Sequence, residues 1–492
     1  MPVINIIGSD LPDVLEGNGE DEHIYGLLGN DLLIGNGGDD YLDGGKGLDT
    51  MQGGDGDDTY KVENAGDLVE ENAGEGEDIV YSLLSYTLPA NVENLHLEGN
   101  APINGYGNDQ DNIIQGNNNK NILKGGGGND TLMGYGGADT MIGGSGDDVY
   151  WVGQKEDVVT EQAGQGTDWV YSSVSHTLAA NVEHLVLTSG SGAINGIGND
   201  LDNWLYGNEG SNALKGGGGH DFLYGDAGED TMAGGTGDDT YVVDDLGDVV
   251  LEGANEGAID LVASSVNHHL AANVERLQLL EQGGHIDGTG NGLDNVIYGN
   301  SFNNELLGLA GADLMHGGGG HDYVDGGQGA DTMSGGAGND TLSYAFSSAG
   351  VNISLVAGTA SGGDAEGDVF DTFENLTGSG YGDHLVGDAQ NSIMSGLAGN
   401  DTIEGRGGDD TLEGGGGADT FVFETDNHDT VTDFGPDDII QFYSWVYSDF
   451  ADVMAHAQQV GNDVVIAYND NNSITLQNVN IGDLNANDFT FV

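Results

Sequence analysis

The sequence has no cysteine and almost no positive charge. Its 492 residues include 5 Pro and 8 Lys plus Arg, against 84 Asp plus Glu. Without cysteine, disulfides, thiolate zinc sites and cysteine nucleophiles are excluded. Eight cations cannot build the basic face that a nucleic-acid partner requires, and docking on anionic lipid is disfavoured for the same reason. No apolar run reaches the roughly 20 residues of a membrane-spanning helix. The opening MPVINIIGSD lacks the charged and apolar regions of a secretory signal peptide. Neither HExxH, GxSxG nor a P-loop occurs, so the motifs of zinc proteases, lipases and P-loop nucleotide hydrolases are missing.

What the chain does have is acid and glycine: a net charge of −76 and 91 Gly. High charge with modest hydrophobicity is the profile of a disordered chain. Yet 37% of the residues are apolar, and they recur at fixed places. The question is what neutralises the acid.

From residue 8 the chain reads in nines: GSDLPDVLE, GNGEDEHIY, GLLGNDLLI, GNGGDDYLD, GGKGLDTMQ and GGDGDDTYK, without a gap to residue 61. Blocks in the same pattern occupy 107–151, 198–242, 290–343 and 378–422. The consensus is G-G-x-G-x-D-x-U-x, with U a large apolar residue. Glycine at positions one, two and four permits the positive φ angles of a tight turn. The x-U-x triplet predicts a very short strand with one inward side chain. Two nines then make one coil, and stacked coils pair in parallel around a thin core, with Leu33, Leu42, Met51 and Tyr60 as one such series.

The Asp at position six falls in the turn, so stacking lines carboxylates up on both flanks. Unpaired, such columns repel. Carboxylates and turn carbonyls are the hard oxygen ligands that Ca²⁺ takes. Nineteen nines carry the acid: Asp13, Asp31, Asp40, Asp49, Asp58, Asp130, Asp139, Asp148, Asp221, Asp230, Asp239, Asp313, Asp322, Asp331, Asp340, Asp383, Asp401, Asp410 and Asp419. With about one ion each, about 38 charges are neutralised. A solvated acidic linker would not hold a nine-residue register through five blocks.

On these nines the chain resembles the RTX, or haemolysin-type calcium-binding, proteins exported by type I systems. The resemblance implies a parallel β-roll, multiple bound calcium ions and an extracellular or cell-surface location. It says little of final role, because the module accompanies proteases, lipases, toxins, epimerases, adhesins and surface-layer proteins.

The blocks sit inside a longer period. NVENLHL at 91–97 returns as NVEHLVL at 181–187 and NVERLQL at 273–279, each after an aromatic at the U position, Tyr60, Tyr150 or Tyr241. Their alternating, Val- and Leu-rich pattern predicts strands. Continuation of the solenoid through wider coils is favoured over small β excursions. The two nines that follow carry Asn at position six: Asn112 and Asn121, Asn203 and Asn212, Asn295 and Asn304. A neutral amide predicts weak or metal-free spacer coils. Residues 344–377 differ and read as another β-rich insertion. From 423 the nines stop, and a mixed β cap with a helix near 447–459 is expected; its terminal NANDFTFV, with Asp488, resembles an uncleaved type I export signal.

The expected fold is thus all-β, a nonapeptide solenoid with a mixed C-terminal cap. The expected segments are 1–61, 62–151, 152–242, 243–343, 344–422 and 423–492. The expected role is a non-enzymatic, calcium-folded structural protein of the cell surface or matrix. Its expected partners are calcium, the export apparatus, and further copies of itself in sheets or filaments or a surface polysaccharide. A glycan-binding or polysaccharide-processing protein and a secreted effector are the alternatives. His220 and His321 read as turn residues, and Trp151 and Trp204 as core or rim aromatics rather than sugar platforms.

Overall fold

A computed structural model describes residues 3–424, 427–469 and 471–492. The chain forms two compact units, Met1–Tyr241 with Gly247–Leu251, and Val242–Leu246 with Glu252–Val492. Each is a stack of parallel coils, because the nines pair two to a coil as their period predicts. In the first unit Ile24 pairs with Leu42 and Leu42 with Tyr60, while Leu15 pairs with Leu33 and Leu33 with Met51. The four U residues expected as one series therefore alternate between two facing sheets. Leu33, Leu42, Met51 and Tyr60 are each fully buried, at 0% exposure. The core is one side chain deep from each sheet, which is all that a three-residue strand with one inward position can supply.

The two sheets are not equivalent. Strands such as Tyr41–Asp43 and Thr131–Met133 span only the x-U-x triplet. On the opposite side Leu32–Gly37 and Thr50–Asp55 run on into the glycines, with Asn36 paired to Gly54.

The segments between blocks continue the stack. Thr59–Val62, Ile79–Ser82, Asn94–Leu97 and Ile113–Gln115 pair successively in parallel. Val149–Val152, Trp169–Ser172, His184–Leu187 and Trp204–Tyr206 do the same. Repeat coils advance 18 residues; here a wide step of 20 is followed by a narrow one of 15. Tyr60 and Tyr150, fully buried, fill the wide step.

In the second unit Leu261–Ser264, Arg276–Leu279, Val296–Tyr298, Leu314–Gly320 and Thr332–Gly338 stack in the same way. Residues 344–377 insert a hairpin into the ladder: Val369–Asp371 lies beside Thr332–Gly338, Asn352–Ser354 and Thr359–Ser361 pair antiparallel, and Asn352–Ser354 pairs in parallel with His384–Val386. The cap carries Ile439–Phe442 and Phe489–Phe491 onto the same ladder. Beside them lies an antiparallel set, Ala457–Val460, Asp463–Asn469 and Asn472–Leu476. The expected helix is short, Phe450–His456, and starts where the Asp449 side chain accepts the Asp452 N–H at 3.0 Å. Met1, Pro2, Thr425, Asp426 and Asp470, at the edges of the first expected segment and within the last, lie outside the described residues. Among the described residues no helix is long and apolar enough to cross a membrane.

Candidate metal centres

Stacking turns the position-six acids into columns. One carboxylate oxygen of each acid accepts a backbone N–H from the acid one coil earlier. Asp13 N–H donates to Asp31 Oδ1 at 2.8 Å, and Asp31 N–H to Asp49 Oδ1 at 2.8 Å. On the other flank Glu22 N–H donates to Asp40 at 2.7 Å and Asp40 N–H to Asp58 at 2.7 Å. The same ladder links Asp130 to Asp148, Asn121 to Asp139, Asn203 to Asp221, Asn212 to Asp230, and Asp221 to Asp239. In the second unit it links Asp313 to Asp331, Asp322 to Asp340, Asp383 to Asp401, Ser392 to Asp410, and Asp401 to Asp419.

The second oxygen is what marks a cation site. Oδ2 of Asp31, Asp40, Asp49, Asp58, Asp130, Asp139, Asp148 and Asp221 is buried with no hydrogen-bond partner. The same holds for Asp313, Asp322, Asp331, Asp340, Asp401, Asp410 and Asp419. A buried, unpartnered carboxylate oxygen is costly. Its surroundings supply further hard oxygen: a β-carbon built on Gly26 would lie 2.6 Å from Asp31 Oδ2 and 2.5 Å from the Gly44 carbonyl oxygen of the next coil. Position-one glycine is thus required less for its φ angle than for the space in which carboxylate and carbonyl oxygens converge. Positive φ belongs to positions two and four, as at Gly45 (78°) and Gly47 (155°). The donor set, carboxylate plus backbone carbonyl, fits calcium.

Two of the expected acids are engaged differently. Asp13 Oδ2 accepts the Ser9 N–H at 2.6 Å and its hydroxyl at 2.8 Å. Asp383 Oδ2 accepts the Ser379 N–H at 2.5 Å, and Oδ1 the Ser379 hydroxyl at 2.7 Å. Both stand at the start of a block. The asparagines at position six fill their sites themselves. Asn112 Oδ1 accepts the Asn108 N–H at 2.7 Å, and its Nδ2 donates to the Glu93 carbonyl at 3.1 Å. Asn203 and Asn295 repeat the arrangement. The Asn112 amide oxygen, already bonded, takes the place of the aspartate Oδ2 beside the Gly125 carbonyl, and the N–H₂ turns to the carbonyls of the preceding coil.

The nonapeptide pattern missed the acids that continue each column beyond the nines. Asp49 N–H donates to Asp67, Asp58 N–H to Asp78, Asp139 N–H to Asp157 and Asp148 N–H to Asp168. In the second unit the columns end on Asp368, Glu374, Asp429 and Asp438. A usable signal was the 90-residue period, which repeats Glu71 and Asp78 as Glu161 and Asp168. These four gather with Asp58 and Asp148 into two tight groups, Asp58–Glu71–Asp78 and Asp148–Glu161–Asp168, each with ligand atoms within 4.8 Å of one another.

Burial, above all other causes, drives these acids toward the neutral form in the metal-free fold. It raises Asp58 and Asp130 to about 8, Asp221, Asp313, Asp401 and Asp410 to about 7, and Asp40, Asp49, Asp139, Asp148 and Asp322 to about 6. A bound cation removes that penalty by neutralising the charge in place.

The weighed histidines are turn residues, with a defined part: His220 Nδ1 accepts the Asp238 N–H at 2.8 Å and His321 Nδ1 the Asn339 N–H at 2.9 Å. Trp151 and Trp204 lie on the outer face of the sheet, 43% and 47% exposed. Trp151 stacks on Tyr171 with centroids 5.0 Å apart, and Trp204 lies 5.1 Å from His184.

Five stretches of the chain match the RTX calcium-binding nonapeptide repeat, at 16–61, 106–150, 197–241, 289–342 and 377–421. A 46-residue stretch is 52% identical to part of Endo-1,3-1,4-beta-glycanase ExsH of Rhizobium meliloti (strain 1021), covering 9% of this chain and 10% of that protein. Among solved structures, the extracellular lipase LipA from Serratia marcescens aligns at 19% identity over 47% of this chain and 45% of its own, with a TM-score of 0.18. The chain thus spans about a tenth of that glycanase and under half of that lipase. Nonapeptide blocks, stacked parallel coils and converging carboxylate and carbonyl oxygens agree: the chain is an RTX protein, built on calcium-binding nonapeptide repeats.

Proposed function

We propose that the protein is a calcium-folded structural component of the cell surface or extracellular matrix, exported by a type I apparatus and without catalytic activity of its own. In this reading the position-six acids, from Asp31 to Asp419, hold the ions with the glycine carbonyls of the following coil. The observation that carries the reading is the row of buried Asp Oδ2 atoms without a partner. In a low-calcium cytosol those charges repel, and a core one side chain deep does not offset chain entropy. In millimolar calcium the binding free energy becomes folding free energy. Stacked parallel coils and dense surface acid also favour association of copies through shared calcium.

The test is electron microscopy with far-ultraviolet circular dichroism, in chelator and then in millimolar calcium. Calcium-dependent β structure together with ordered sheets or filaments supports the reading. A well-ordered β spectrum in excess chelator sinks the folding mechanism, and isolated particles in calcium remove the assembly role. A glycan-directed role is the second reading, favoured by the outward Trp151, Tyr171, Trp169 and Trp204 cluster; a glycan array decides it.

A further inference from the structure

Glu71 and Glu161 fall outside every nine. Each stands one coil after a position-one glycine: Gly53 N–H donates to Glu71 Oε1 at 3.0 Å and Gly143 N–H to Glu161 Oε1 at 3.1 Å, both 18 residues apart. In the coils above, that next position is a glycine, and its backbone carbonyl faces the site. A β-carbon on Gly35 would meet the Gly53 carbonyl oxygen at 2.6 Å, and one on Gly125 the Gly143 oxygen at 2.6 Å. At Gly53 and Gly143 the nearest atoms are instead the acid of the same nine and a tyrosine hydroxyl, Tyr60 or Tyr150. Here a glutamate carboxylate accepts the position-one N–H, which in an ordinary coil goes to a backbone carbonyl, as the Gly26 N–H goes to the Asp43 carbonyl at 2.9 Å.

The resulting groups share the same set of three acids, with Oδ2 of Asp58 and of Asp148 unpartnered, while Glu161 Oε2 also accepts the Gln162 N–H at 3.3 Å. Asp58, Glu71 and Asp78 offer oxygens within 4.8 Å of one another, as do Asp148, Glu161 and Asp168. Calcium–oxygen distances of 2.3–2.6 Å allow oxygen pairs up to about 5 Å apart. Asp58 and Asp78 are 0% and 1% exposed, and each keeps a buried Oδ2 with no partner, as does Glu71 Oε2. The tyrosine hydroxyl donates to the glutamate Oε1 in both copies and so orients the carboxylate. Gln52, Glu70, Asn72 and Glu75 line a polar cleft that opens beside Glu71 and offers an ion a way in.

We propose that Glu71 and Glu161 are calcium ligands of a second kind of site, a three-carboxylate cage that closes a column where the nonapeptides end. It gathers three carboxylates, where a turn site joins a carboxylate to a backbone carbonyl. The proposal rests on the reading of the turn acids as ligands, and its test separates the two. Crystals of the full chain grown in calcium are measured at a long wavelength, where calcium scatters anomalously. Peaks are expected in the turn rows and, in addition, between Asp58, Glu71 and Asp78 and between Asp148, Glu161 and Asp168. The double variant Glu71→Gln, Glu161→Gln keeps a hydrogen-bond acceptor for the glycine N–H and the phenol but loses the charge. It should lose those two ions alone, seen as two fewer calcium per chain by atomic emission. Filled turn rows with empty cages in the wild-type map, which needs no variant, overturn the cage and leave the turn assignment standing. Cage peaks that persist in the double variant show that the glutamates are not ligands. Empty turn rows overturn the turn assignment, and the cage with it unless its own peaks are present.

Discussion

At the residue scale, one glycine separates two physical roles that the consensus merges. Gly26 is wanted for the space where Asp31 and the Gly44 carbonyl converge, Gly45 for a φ of 78° and for clearance from the Leu27 carbonyl oxygen, 2.4 Å from a β-carbon built there. Gly26→Ala is therefore expected to lower the bound-calcium count while the chain still folds in excess calcium. Gly45→Ala is expected to lower stability by about 1–2 kcal/mol, the cost of a left-handed residue with a β-carbon. Calcium titration and denaturant melts of the two variants separate these outcomes. The acid itself has two jobs as well. Asp130→Ala removes a proposed cation ligand and leaves the buried Asn112 N–H, now bonded at 2.8 Å, without an acceptor. The second loss alone costs about 1–3 kcal/mol, so melts at saturating calcium should still show a deficit of that size.

At the scale of the coil, the inward residue of each triplet meets its equals above and below. Leu42, at 0% exposure, lies between Ile24 and Tyr60. Leu42→Ala is expected to cost about 2–5 kcal/mol in saturating calcium, read from the shift in the urea midpoint. Most of this level was legible in the sequence. The nine-residue period carries the turn, the strand, the inward residue and the acid, because all four are local and recur in every coil. The ends of the columns were not legible. Asp78 answers to Asp58 across 20 residues and Glu93 to Asp78 across 15. Those steps are set by how a large ring and a longer turn fit the stack, which no nine-residue pattern encodes. The alternation of Leu33 and Leu42 between sheets follows from two nines per coil, yet it shows only once the pairing is seen. The hairpin at Asn352–Ser361 was expected as β structure but not as an antiparallel pair set within the parallel ladder.

At the scale of the whole molecule, protons and calcium compete for the same oxygens. Asp40, Asp58, Asp130 and Asp221 have ordinary values near 3.8 when unfolded, and burial lifts them to between about 6 and about 8 in the metal-free fold. Stability from such groups is fully present below pH 4 and is lost as pH rises through 6 to 8. In chelator, acidification is therefore expected to restore β structure that neutral pH removes, followed by circular dichroism from pH 8 to pH 4. In calcium the order reverses: apparent affinity rises with pH, and binding at pH 6 releases more protons than at pH 8. Calorimetry in buffers of different ionisation enthalpy measures that release. A calcium affinity indifferent to pH across this range would contradict the burial of the ligands.

The ladder of acids also has a direction. Each N–H is answered by the carboxylate of the coil that follows, and each Asp Oδ2 meets a carbonyl from that same later coil. The carboxylate acceptor thus comes from the C-terminal neighbour, while the carbonyl of the same acid accepts from the coil that follows, as the Asp31 carbonyl does from the Thr50 N–H at 2.8 Å. The side-chain part of the scaffold is polar along the stack: a folded coil presents carboxylate acceptors to the stretch of chain that precedes it and backbone carbonyls to the stretch that follows. A chain that meets calcium with its C-terminal coils first would fold behind a moving front, each new turn locking against the last and unable to slip back.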